Sequence, residues 1–253
     1  MKRALVAGYG LLAYALFFAS FLYLIAFLAN VFVPVSVDVG PEAPTALALI
    51  GNVGLVLLFG LQHSVMARPA FKRAWAKVVP DPMERSTYVL ATTVVLVALM
   101  ALWRPMPGVI WDLTGTPWEY VGWGVFAFGW LFLLTSTFLV NHFDLFGLRQ
   151  VALFAMRREP AALQFTTRFF YKFVRHPIYL GWMIAMWATP TMTVGHLVFA
   201  LSFSLYLIVA VPLEERDLVA LHGDRYRDYQ RSVPAVLPRL TPATTESPSG
   251  VSA

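Results

Sequence analysis

Arg175-His176-Pro177-Ile178-Tyr179-Leu180-Gly181 opens a stretch that closes on Glu214-Glu215, and the reading of this stretch decides the fold. Between its polar ends lie two apolar blocks that meet around Thr189 to His196. Two apolar arms joined by a short polar break form the pattern of a membrane hairpin, whose ends return to one side of the bilayer. The Arg-His pair then comes close to the Glu-Glu pair, and the two together predict a binding site for a charged cofactor. Each arm holds only about 17 apolar residues, so a shallow or re-entrant hairpin fits the pattern as well as a full crossing does.

The rest of the chain has the same character. Of 253 residues, 58% are apolar, and the mean hydropathy is +0.66. Runs reaching the roughly 20 residues needed to cross hydrocarbon recur along the chain. The first, residues 4 to 30, is too long for the core of a cleavable signal and lacks a small-residue cleavage site, so it reads as a retained helix. The expected fold is an all-α polytopic membrane helical bundle. It has about five to six membrane helices, a C-terminal cofactor-binding hairpin and interfacial helices. Residues 1–240 form one integral-membrane domain, with the cofactor-binding part at about 170–238, and 241–253 are a disordered Thr-Ser-Pro tail. With no cysteine in the chain, disulfides, thiol nucleophiles and thiolate metal sites are excluded.

In order, the expected spans are residues 4–30, 45–66, a third ending near Trp103, a fourth from Trp118 to Asn141, and the two hairpin arms. Between the second and third, Pro69 starts a basic amphipathic segment with Phe71, Trp75 and Val78 at helical intervals, which fits an interfacial helix or an ordinary basic loop. Residues 148 to 175 read as a long basic connection. Gly122 and Gly129 lie two turns apart on one face of the fourth span and predict close helix packing. If both termini lie in the cytoplasm, 18 of the 19 Lys and Arg residues fall on that side and only Arg104 lies outside. The formal charge of +5 therefore marks topology and gives no ground for nucleic-acid binding. The protein is expected in a membrane, in contact with membrane lipid, with both termini and the hairpin's polar ends facing the cytoplasm. His63, Glu84, His142, Asp144, His176, Glu214 and Glu215 all fall at cytoplasmic helix ends, where one site could gather them; helix capping or snorkelling is the bland alternative for each.

The hairpin entrance offers backbone N–H groups near Pro177 to Gly181 with Arg175 and His176 alongside, which suits a carboxylate or phosphate. Gly181 would allow close backbone approach. Glu214 and Glu215 are acceptors for ribose hydroxyls or a cationic amine. An amino-acid nucleoside such as S-adenosylmethionine carries groups for both ends.

The Arg175 to Gly181 motif, Glu214-Glu215 and the run from Leu218 to Pro238 resemble integral-membrane methyltransferases of the isoprenylcysteine carboxyl and phospholipid N-methyltransferase group. Gly223, Tyr226, Tyr229, Val233, Pro234 and Pro238 sit where that pattern has them. The resemblance implies that Arg175, His176, Tyr179, Leu180, Gly181, Glu214, Glu215 and Tyr229 bind S-adenosylmethionine. His222 stands where the pattern is usually aromatic, and no role is carried over to it. Gln62 to Ser64, Arg68-Pro69, Glu84 to Tyr88, Trp103 to Pro107 and Asn141 to Gln150 resemble one branch, the bacterial methanethiol S-methyltransferases. That resemblance covers most of residues 50–238. It implies methylation of a small thiol, methanethiol to dimethyl sulfide, and leaves hydrogen sulfide open as a second acceptor.

A thiol must lose its proton to become the nucleophile, so a base is expected. His142 oriented by Asp144 is one candidate and His63 another, with Glu84 in the same group of helix ends. A metal site built from His63, His142 and Glu84 lacks ligand spacing, so no metal is expected. The alternatives are methylation of a lipid or prenylated carboxylate on the same scaffold, a nicotinamide-dependent membrane reductase, whose C-terminal Tyr and Val-Pro pattern is similar, and a non-catalytic membrane binding protein.

Overall fold

The computed structural model describes residues 2–159 and 167–238. The expected tail at 241–253 lies outside these residues. Helix α1 (Lys2–Ala29) is followed by α2 (Thr45–Ala67), α3 (Pro69–Trp75) and α4 (Asp81–Leu102). Strand β1 (Val109–Asp112) leads into α5 (Pro117–Val140), then the short α6 (His142–Leu145) and α7 (Leu148–Ala155). A 3-10 turn at Phe169–Lys172 precedes α8 (Pro177–Trp187), strand β2 (Thr191–Thr193), α9 (Val194–His222) and α10 (Asp224–Ser232). Among the described residues, α1, α2, α4, α5 and α9 are long and apolar enough to cross a membrane. The protein is an all-α polytopic membrane bundle.

Leu11, Leu57, Leu131, Leu205 and Ile208 are exposed on these helices, as lipid-facing side chains should be, while Phe27, Trp103 and Phe199 are fully buried and pack ring against ring. Asn52, wholly buried, receives the Arg104 N–H at 2.9 Å and donates to the Arg104 carbonyl at 2.8 Å. Such pairing is required where no water can substitute.

The hairpin differs from two equal helical arms. α8 has 11 residues, about 16 Å at the helical rise, and is too short to span hydrocarbon alone. Residues after Trp187 continue as extended chain into β2, which pairs antiparallel with β1 through Val109–Thr193, Trp111–Met192 and Asp112–Thr191. The turn of the hairpin therefore lies with the α4–α5 connection, at the end of the bundle opposite Arg175. The second arm also runs further than expected: α9 has 29 residues and carries Glu214 and Glu215 inside a continuous helix that ends at His222.

α8 is held tightly against α5. A Cβ on Gly129 would lie 2.6 Å from the Ala185 nitrogen, and one on Gly181 would lie 2.8 Å from Leu133 N and 2.9 Å from the Gly129 carbonyl. Small residues at this crossing allow the backbones to touch, which supplies van der Waals contact where lipid removes the hydrophobic drive. The basic segment at 69–75 is helical, with Pro69 in its first turn and Phe71 stacked on Trp75. The 148–175 connection contains the amphipathic α7, whose Val151 is buried beside Gly10 of α1.

Candidate functional site

The entrance and exit of the hairpin meet as the sequence predicts, but the two glutamates do different things. Glu215 is buried and closed in. Arg175 donates to it through Nε at 2.6 Å and Nη2 at 3.1 Å, His176 Nε2 lies 2.9 Å away, and Gln230 Nε2 donates at 2.7 Å. Arg175 Nη1 also donates to the carbonyls of Gln230, at 3.1 Å, and Val233. The Arg175 and His176 backbone N–H groups bond to the Pro234 and Ala235 carbonyls at 2.9 and 3.0 Å. One bidentate ion pair thus ties α8, α9 and the segment after α10 together. With its oxygens taken by four side chains, the fourth being the Tyr226 hydroxyl at 3.5 Å, Glu215 is a lock within the chain and not the open acceptor expected; Arg175 is likewise committed.

Glu214, one residue earlier and about 100° round the helix, points elsewhere. Its side chain is 41% exposed, accepts the Tyr179 hydroxyl at 2.6 Å and lies 3.8 Å from His176 Nδ1. It faces a cleft of ≈ 310 Å³ that is also lined by Tyr171, Ile178, Tyr179, Leu218, Tyr226 and Tyr229. Tyr229 donates to the Tyr171 carbonyl at 2.6 Å. Burial pushes the Tyr171, Tyr226 and Tyr229 phenols well above their ordinary range, so they stay protonated. Ile178 and Tyr179 occupy the first turn of α8, where N–H groups lack intrahelical acceptors; Leu180 N–H already bonds to the His176 carbonyl at 3.1 Å.

Leu180 and Gly181 lie away from this cleft. Gly181 is spent on the α5 crossing, so the close approach that its missing side chain permits is to a helix and not to a ligand. His222 lines the cleft although the resemblance assigned it no role, and Tyr171 was not anticipated at all. A 3-10 turn in a basic connection carries no sequence period that would have singled it out.

The candidate catalytic residues separate into two groups. His142 is buried with both ring nitrogens engaged, Nε2 with the Tyr14 hydroxyl at 2.8 Å and Nδ1 with Thr137 Oγ1 at 2.8 Å, and its ring stacks on Phe138 at 4.2 Å. Asp144 does not orient it. That carboxylate pairs with Arg149 at 2.9 Å, and the Asp144 N–H is capped by Asn141. The pairing of His142 with Asp144 fails because the short α6 turns the aspartate toward α7. Burial holds the His142 imidazole below its usual pKa. Glu84 sits in the first turn of α4, where a carboxylate complements the helix dipole.

His63 lies at the other side of the bundle. Its Nε2 and Nδ1 are 2.8 and 3.0 Å from the Tyr88 hydroxyl, and its ring stacks on Phe59. The polar last turn of α2 is laid along α9: Ser64 meets the Tyr206 hydroxyl at 3.3 Å, and Arg68 donates to the Leu213 carbonyl at 2.7 Å and pairs with Asp217 at 2.8 Å. His63 therefore borders the helix that carries Glu214.

No protein-family model matches the chain, and no solved structure matches it. Full-length relatives do. The methanethiol S-methyltransferase of Mycobacterium tuberculosis is 49% identical over 94% of this chain and 98% of its own. Those of Pseudomonas deceptionensis and Crocosphaera subtropica are 48% and 45% identical, again over 94% of this chain and over 92% and 93% of theirs. With identity of this order running through both halves of the bundle, the chain belongs to the methanethiol S-methyltransferase family.

Proposed function

We propose that the protein transfers a methyl group from S-adenosylmethionine to a small thiol, converting methanethiol to dimethyl sulfide, at the basic end of the bundle. The observation that carries this reading is Glu214: a partly exposed carboxylate held by one phenol at the mouth of a tyrosine-lined cleft. The residues present fit the group. Glu214 offers negative charge to a sulfonium or ammonium, the open N–H groups of Ile178 and Tyr179 suit a carboxylate, and the phenol rings suit a flat base. When bound, the donor would supply an activated methyl group, which the acceptor sulfur would take in line as S-adenosylhomocysteine leaves.

The protein's own tasks are to hold the two partners in line and to remove the thiol proton. The Arg175–Glu215–His176 lock fixes the angle between α8 and α9 and so the position of Glu214. Of the candidate bases, His63 is the better placed, because it borders α9 while His142 is enclosed by α1 and α5 residues. Hydrogen sulfide fits the same chemistry as a second acceptor. The concentration of Lys and Arg at the site end favours a cytoplasm-facing site in a bacterial inner membrane.

The test is purified protein with methyl-labelled S-adenosylmethionine and a panel of thiols, sampling headspace and lipid. Labelled dimethyl sulfide is the expected product; label confined to lipid would overturn the thiol reading.

A further inference from the structure

Tyr88 is the centre of a buried polar cluster outside the cleft. It is 8% exposed on α4, and its hydroxyl lies within 3.0 Å of both ring nitrogens of His63. Behind His63, Thr92 Oγ1 lies 3.4 Å from Nδ1 and accepts from Gln62 Nε2 at 3.4 Å, while Gln62 Oε1 is buried with no partner. The Arg85 guanidinium sits over the Tyr88 ring at 5.1 Å and is itself anchored to the Leu145 carbonyl at 2.7 Å. Beside this cluster, the Tyr206 hydroxyl of α9 meets Ser64, the residue after His63, at 3.3 Å, and Tyr179 of α8 donates to Glu214 at 2.6 Å.

A phenol with a histidine directly behind it is a proton conduit. From this arrangement, and resting on the thiol-methylation reading, we infer that Tyr88 is the catalytic residue that meets the acceptor sulfur and that His63 acts through it. As the thiol S–H gives its proton to the Tyr88 oxygen, the Tyr88 O–H gives its own to His63. The sulfur left as thiolate forms its new bond to the methyl carbon while the bond from that carbon to the sulfonium breaks. Thiolate and sulfonium become two neutral thioethers, and the proton on His63 returns to solvent after turnover.

The experiment compares wild type, Tyr88→Phe and His63→Gln, each full length, with labelled S-adenosylmethionine and two acceptors: methanethiol, and an aryl thiol that is already thiolate at neutral pH. S-Adenosylhomocysteine affinity is measured alongside. Expected for both variants is a fall in kcat/KM for methanethiol of about 100-fold, the lower end of what a positioned proton acceptor contributes. The fall should shrink to less than about tenfold for the aryl thiol, with S-adenosylhomocysteine affinity within about twofold of wild type. Equal losses on both thiols, or a parallel loss of S-adenosylhomocysteine affinity, would assign Tyr88 to packing and overturn the inference, as would full methanethiol turnover by Tyr88→Phe. A wild type that methylates neither thiol would refute the thiol reading itself, and the Tyr88 role with it.

Discussion

Glu214 and Glu215 are neighbours of identical chemistry, and the structure makes them separable. Replacing Glu215 with Ala leaves the Arg175 guanidinium facing no carboxylate and removes the acceptor of both His176 and Gln230. The pair is only 10% exposed on each side, so the loss is that of an enclosed ion pair deprived of one member, about 3–5 kcal/mol. What Glu215 holds is the C-terminal segment, because Arg175 clamps the Gln230 and Val233 carbonyls and its backbone pairs with Pro234. The cost should therefore appear first as local opening of α10, not as collapse of the apolar bundle. At 1.4 kcal/mol per tenfold, the lower part of that range raises the open population on the order of 10²-fold.

Trypsin reads this directly, since α10 carries Arg225, Arg227 and Arg231. Glu215→Ala should be cleaved there on the order of 10²-fold faster than wild type under conditions where opening is at equilibrium. Glu214→Ala removes a carboxylate with one hydrogen bond and a 41% exposed side chain, and should leave the cleavage rate within about threefold while weakening S-adenosylhomocysteine binding at least tenfold. Unchanged cleavage of Glu215→Ala, or equal destabilisation by both substitutions, would refute the division of labour.

Gly181→Ala puts a methyl 2.8 Å from Leu133 backbone nitrogen and should force α8 off α5, lowering stability by about 1–3 kcal/mol in thermal unfolding and misplacing the Tyr179 turn, so that turnover falls too. Asn52→Leu leaves both polar groups of the Arg104 peptide unpaired inside the bundle and should cost about 2–4 kcal/mol, read by the same assay, with no change in S-adenosylhomocysteine affinity, because Asn52 lies at the opposite end from the cleft. His142 is buried neutral with its pKa below the unfolded value, so the unfolded chain binds the extra proton: stability is fully present above about pH 6.5 and falls as pH drops toward the folded pKa, by at most about 1.4 kcal/mol per pH unit. Unfolding midpoints of wild type and His142→Gln from pH 8 to 5 should therefore differ in slope below pH 6.5.

The membrane bundle and the meeting of the hairpin's two ends are legible in the residues, because apolar run length and the placement of Lys and Arg carry that information directly. The separate duties of Glu214 and Glu215 are not. α9 is apolar around most of its circumference, so no amphipathic period shows which way either glutamate turns; that depends on where Arg175 and Gln230 arrive. The same reason hides Tyr88. Its hydroxyl partner, His63, comes from α2, 25 residues away and brought against α4 only by the way apolar helices rotate against one another. The β1–β2 pair escapes notice because its strands have four and three residues, too few for alternation to register.

The shortness of α8 follows from the same division. A helix long enough to span would carry its first turn, with the Ile178 and Tyr179 N–H groups, clear of the bundle into the headgroup region. Eleven residues followed by extended chain keep that turn level with Leu133 of α5, where Gly129 and Gly181 remove the side chains that would hold the helices apart. The 29-residue α9 does the opposite and extends past the turn, so Glu214 sits beside it and Leu218 and His222 continue the cleft wall beyond it. One arm cut short and the other prolonged sets a helix N-terminus against the flank of its partner. That offset brings a helix N-terminus and a half-exposed carboxylate to the same cleft, which is the charge pattern that the proposed sulfonium donor would require.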